Sequence, residues 1–163
     1  MSKPEKYEGF TLGLALVDAL PVLLFGGSGL LLGRLSGQPL VLLGAVLMFL
    51  GGLSKVLWKL VLALAKKDLP WLAKPFRYLM IGGFLLMLTA ALLRLKEIPW
   101  HELGQRAVSL PSLPLFILGV LGLTAMGVLA AKLDQSRAKS NWIEQLTNTF
   151  AQLCIFLGLF FMR

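Results

Sequence analysis

Five apolar stretches dominate the chain, at about residues 10–33, 39–65, 76–95, 113–133 and 141–162. Each approaches or exceeds the roughly 20 residues that a helix needs to cross bilayer hydrocarbon. Short connections join them, and none of these is long enough to form a second domain. The pattern predicts an all-α polytopic membrane protein, a bundle of five transmembrane helices in one domain spanning 1–163. Composition agrees. Of 163 residues, 57% are apolar and only 15% are charged, against about 25% charged in an average soluble domain. Mean hydropathy is +0.80. Asp18 and Pro21 interrupt the first stretch, which is too long for a signal-peptide core and has no small-residue cleavage site behind it.

The breaks carry helix punctuation. Ser36-Gly37-Gln38-Pro39 reads as a turn, with Pro39 in the first turn of the second helix. Lys74-Pro75 is expected to open the third helix. Pro99, Pro111 and Pro114 bracket what reads as the longest loop. Asn141 is expected to cap the fifth helix, with Glu144 near its positive end. Trp71, Trp100 and Trp142 fall near span ends, as an interfacial aromatic belt requires.

The formal net charge is +8. Because it is spread thinly between apolar runs, it is read as a record of topology rather than as a nucleic-acid surface. Lys3, Lys6, Lys66, Lys67, Lys74, Arg77, Lys132, Arg137 and Lys139 fall on one side. Arg34, Arg94, Lys96, Arg106 and Arg163 fall on the other. The positive-inside rule then puts the N-terminus in the cytoplasm and the C-terminus outside, in a bacterial inner (cytoplasmic) membrane as the simplest home.

Polar groups inside the spans carry the functional information, since a charge at mid-helix costs about 2.5–3.5 kcal/mol on insertion scales. In the fifth span Asn141, Gln145, Asn148 and Gln152 recur at helical spacing, bordered by Glu144. At about 100° per residue they share one stripe, which must face protein or water because lipid leaves amides unpaired. The second span places Lys55 and Lys59 one turn apart on a face continued by Met48, Gly51 and Gly52. Lys59 lies near enough to the span end to snorkel to the headgroups. Lys55 lies deeper, at a depth comparable to that of Asp18, the one acid well inside a span. Asp18 and Lys55 are therefore expected to pair. Arg77, at the same end of the third span, adds a further cation.

Two functional readings follow. In the first, a non-catalytic membrane protein binds or passes a small anionic molecule or lipid headgroup at a cytoplasm-facing polar site. Asp18, Lys55, Lys59, Arg77, Asn141, Glu144, Gln145, Asn148 and Gln152 are its candidate ligand-binding residues. In the second, the chain is a structural or interaction subunit whose stripe and glycine faces pack on partner helices or on a second copy. The first requires a concavity between the first, second and fifth spans. The second requires those side chains to satisfy one another.

An enzyme is the least favoured reading. Gly26-Gly27-Ser28-Gly29 lacks the Gly-Lys-Ser/Thr of a phosphate loop. His101 is the sole histidine, so no His-based zinc site is available, and no catalytic residue, metal or cofactor is expected. Cys154, the lone cysteine, sits among apolar residues and reads as packing. Gly29 with Gly33, Gly82-Gly83, and Gly119, Gly122 and Gly127 read as close-packing faces.

Overall fold

The computed structural model describes residues 11–134 and 137–162. Lys3, Lys6, Phe10 and Arg163, used above for topology and for the first span, lie outside these. The described residues form α1 (Leu12–Ser36), α2 (Pro39–Ala65), α3 (Pro70–Leu93), α4 (Trp100–Ala107), α5 (Ser112–Lys132) and α6 (Ala138–Phe161), with no strand among them. Four of the helices, α1, α2, α3 and α5, are long and apolar enough to cross a membrane. The fifth expected span, α6, has the length but not the hydropathy, because its first half carries the amide stripe.

Local chemistry explains most of the boundaries. The Thr11 side chain caps α1 by accepting from the Leu14 N–H at 3.3 Å. Gly37, at φ 65°, ends α1 in the left-handed conformation that glycine adopts without strain, and its N–H reaches the Arg34 carbonyl. Pro39 then starts α2 in its first turn. Two expected boundaries differ. The third helix begins at Pro70 rather than near 76 and runs through Pro75, because Pro70 also suits a first turn. The last helix begins at Ala138, which leaves Asn141 inside it rather than at its cap. The Asn141 amide instead donates to the Arg137 carbonyl at 3.1 Å.

The long helices stand in a row, α3–α2–α1–α6–α5, each packed on its neighbours. Small residues set the close approaches. A Cβ on Gly29 would stand 2.6 Å from that of Ala45, one on Gly26 2.5 Å from the Phe49 ring, and one on Gly52 2.8 Å from Val22. These contacts fix the register of the α1–α2 hairpin. Between α2 and α3, Gly44 and Gly83 face each other so closely that a Cβ on either would meet the other's carbonyl oxygen, at 2.6 and 2.5 Å. Between α5 and α6, Gly122 meets Ala151 and Gly119 meets Ile155. Gly82 and Gly127, expected on packing faces, meet nothing within 4 Å.

The stretch expected as a plain loop before α5 contains α4. Its Glu102 and Arg106 pair across one turn at 3.8 Å, and Arg106 donates to the Met162 carbonyl at 3.2 Å. Leu103 and Ala107 pack on a small core of Leu31, Leu159 and Met162, so α4 covers the end of the row nearest the α1–α2 turn. Around the outside the row presents apolar side chains, among them Leu20, Leu23, Leu57, Leu64, Leu85 and Leu92.

Candidate functional site

The opposite end of the row brings together the start of α1, the end of α2 and the start of α6. Here Lys59 Nζ donates to Asp18 Oδ1 at 2.8 Å and to Asn141 Oδ1 at 3.4 Å. The two charged side chains are only 4% and 6% exposed. One buried ammonium therefore ties three helices together. Losing one partner of such a pair typically costs about 3–5 kcal/mol, because the other charge is left unpaired in low dielectric.

This pairing corrects two expectations. Asp18 pairs with Lys59, not Lys55, and Lys59 is buried rather than reaching out to the surface. The reason lies in the two faces of α2. Ala45, Phe49, Gly52 and Lys59 meet α1, whereas Gly44, Met48, Gly51 and Lys55 turn toward α3. Residues four apart share a helix face only loosely, and four steps at 100° rotate Lys55 away from Lys59 by about 40°. Lys55 Nζ lies 5.1 Å from the centroid of the Phe76 ring on α3, a cation–π distance.

Beside the pair is a cavity of about 270 Å³. Its polar wall is made of Asp18, Lys55, Glu144, Gln145, Asn148 and Gln152. Its apolar wall includes Phe25, Met48, Phe76, Met80, Leu123 and Met126. All five long helices contribute. Pro21 lines it as well, at a point in α1 where the missing N–H leaves the Val17 carbonyl without its helical donor. The two ends of the row, α3 and α5, both reach the cavity yet do not form a packed helix pair with each other.

Of the nine candidate residues, six line the cavity, and Lys59 and Asn141 stand in the ion-pair cluster beside it. Arg77 is exposed and not among the lining residues. Within the amide stripe, Gln145 is buried and Asn148 and Gln152 are half-buried. Glu144 is 7% exposed, and its Oε1 is buried without a hydrogen-bond partner. The charges of Lys55, Lys59 and Asp18 all act on it.

Part of the apolar lining escaped the sequence reading. Met80, Leu123 and Met126 look in sequence like any lipid-facing residue, and only the fold separates a methionine facing a cavity from one facing outward. His101 is exposed on α4, and among the described residues no group of three His, Cys, Asp or Glu side chains is placed to hold a metal ion. The chain matches no protein-family model, no curated protein and no solved structure.

Proposed function

We propose that this is a five-span membrane protein that binds, without chemistry, an anionic group carried by a lipid headgroup or a small molecule at the α1–α2–α6 end. The observation that carries this reading is the cavity itself. A row of amides and charges that served packing alone would be satisfied by mutual contact. Here Lys55, Glu144, Gln145, Asn148 and Gln152 border open space. An interaction subunit needs its polar stripe at a partner's face, and this stripe points into the bundle.

The mixed lining favours a lipid headgroup over a bare soluble anion. About 270 Å³ lies just under the roughly 300–1,000 Å³ of small-molecule sites, enough for a headgroup and its first methylenes. Because α3 and α5 form no packed pair, the acyl chains have a way out between them to the surrounding lipid. The fifth span in this reading is α6, whose amides face the cavity and so avoid lipid. The exposed leucines of the outer surface, which would drive aggregation in water, meet acyl chains. The cavity end faces the cytoplasm of a bacterial inner membrane, and the C-terminus lies outside. A reporter fused to the C-terminus is expected to be active on the outer side.

Ligand binding is tested by the thermal stability of the purified full chain in detergent, titrated with phospholipid and separately with inorganic phosphate. A ligand of the native state raises stability as its concentration passes Kd. The expected result is stabilisation by phospholipid that is lost when Asn148→Leu fills the polar wall. No stabilisation by phospholipid or by phosphate overturns the reading.

A further inference from the structure

Once the Asp18–Lys59 pair is set aside, two charged side chains of the cavity wall have unmet demands. Lys55 takes part in none of the ion pairs among the described residues, and its ammonium rests over the Phe76 ring. Glu144 also takes part in none, and its Oε1 is a buried acceptor with no donor. The two therefore lie beyond ion-pair distance of each other while lining the same cavity.

Buried polar groups are nearly always partnered, and an orphan acceptor in a cavity asks for a donor that the protein does not supply. The charges around the site also balance, with Asp18 and Glu144 against Lys55 and Lys59. A ligand carrying only negative charge would satisfy Lys55 but would add repulsion at Glu144. A ligand carrying only positive charge would do the reverse.

We propose that the cavity recognises a zwitterion: an anionic oxygen group held by Lys55 and the neighbouring amides, and a protonated primary amine held by the Glu144 carboxylate. A phosphate joined by a short carbon linker to an ammonium has this chemistry, whether as the headgroup of an ethanolamine phospholipid or as the free zwitterion. A trimethylammonium headgroup brings the same charge but no N–H for Glu144. A phosphoglycerol headgroup brings hydroxyl donors but leaves the carboxylate charge unmatched. The inference rests on the headgroup-binding reading and narrows it.

The test measures binding to the purified full chain in neutral detergent by native mass spectrometry, using phosphatidylethanolamine, phosphatidylglycerol, phosphatidylcholine and free phosphoethanolamine. Phosphatidylethanolamine is expected to bind about tenfold more tightly than either other lipid, the ratio set by one charge-assisted hydrogen bond. Glu144→Gln should reduce that preference, while Lys55→Met should weaken phosphatidylethanolamine and phosphatidylglycerol alike.

Equal binding of the three lipids, or preference for phosphatidylglycerol or phosphatidylcholine, overturns the zwitterion and leaves headgroup binding standing. Binding of none of the three lipids and of no phosphoethanolamine overturns both. Tight binding of free phosphoethanolamine supports the same site chemistry with a soluble ligand; its failure beside tight phosphatidylethanolamine binding supports the lipid. The ranking by the unmodified protein decides the matter even where a variant fails to fold.

Discussion

The two ends of the helix row are held together by different physics. At the end covered by α4, contact is dry and short-range: Leu31, Leu159 and Met162 form a small core, and Ser112 Oγ donates to the Gly158 carbonyl at 3.0 Å. Toward the middle, Gly44 and Gly83 bring α2 and α3 to backbone contact. At the other end the helices stand around a cavity, and a buried ion pair with one asparagine joins three of them. In an apolar solvent, packing of small residues holds helices without any polar group. The polar end thus carries charges that closure does not require, and there they border a cavity, whereas the open space between α1 and α2 nearer the α4-covered end is lined by apolar residues such as Leu30, Leu42 and Phe49. A fold that needed only stability could have repeated the glycine solution at both ends.

The largest effect that would break this comparison concerns the ion pair. Asp18→Asn and Lys59→Met should each destabilise the protein by about 3–5 kcal/mol, the usual consequence of stranding a buried charge. The double variant should recover part of that loss, and the coupling is read from a cycle of unfolding free energies in mixed micelles. Lys55→Met should add to Asp18→Asn with little coupling, because Lys55 faces α3. If the coupling falls on Asp18 and Lys55 instead, the faces assigned to α2 are reversed.

That cycle also marks where the sequence stopped being legible. The long apolar helices, the α1–α2 turn at Gly37 and the inward amide stripe are periodic or local features, so spacing alone located them. The partner of Asp18 was not local. Depth along the helix pointed to Lys55, whereas the actual choice of Lys59 depended on rotation of α2 about its own axis. That rotation is set by Gly29 against Ala45, Gly26 against Phe49 and Gly52 against Val22, contacts between residues far apart in sequence. The same limit hid part of the apolar half of the cavity. For α4, the Glu102–Arg106 spacing is a usable helix signal that the reading of the proline-bracketed stretch as a loop did not use. Arg77 was grouped with the site by its end of the bundle, and its face of α3 turned it outward.

The second prediction uses adjacent glycines as an internal control. Gly83→Ala places a methyl 2.5 Å from the Gly44 carbonyl oxygen. Backbone cannot step aside as a side chain can, so α2 and α3 must separate, at about 1–3 kcal/mol. Gly82→Ala meets nothing within 4 Å and should be neutral or stabilising by up to about 1 kcal/mol, since alanine loses less freedom in a helix. Opposite signs at neighbouring positions, measured in the same micelles, would sharpen the glycine half of the comparison. Equal small effects would mean that the α2–α3 approach is loose.

The smallest effect lies outside the long helices, on the α4-covered side. Glu97 accepts from Arg94, and Gln38 at the α1–α2 turn reaches its other oxygen at 3.5 Å. The bond from Arg94, then its positive charge, holds the Glu97 carboxyl below the ordinary glutamate value of 4.5, with Gln38 helping. The folded state therefore favours the ionised form. Its contribution is fully present above the ordinary value and fades as the pH falls through the lower, folded one. Both side chains are half in water, so salt screens the pair and the contribution is small. Glu97→Gln should leave stability nearly unchanged and slightly flatten its fall between neutral and acid pH, with the difference shrinking further at high ionic strength. A steep acid loss surviving in Glu97→Gln would place the responsible carboxylates elsewhere. A loss that vanished entirely in Glu97→Gln would place the whole acid dependence on the Arg94–Glu97–Gln38 cluster.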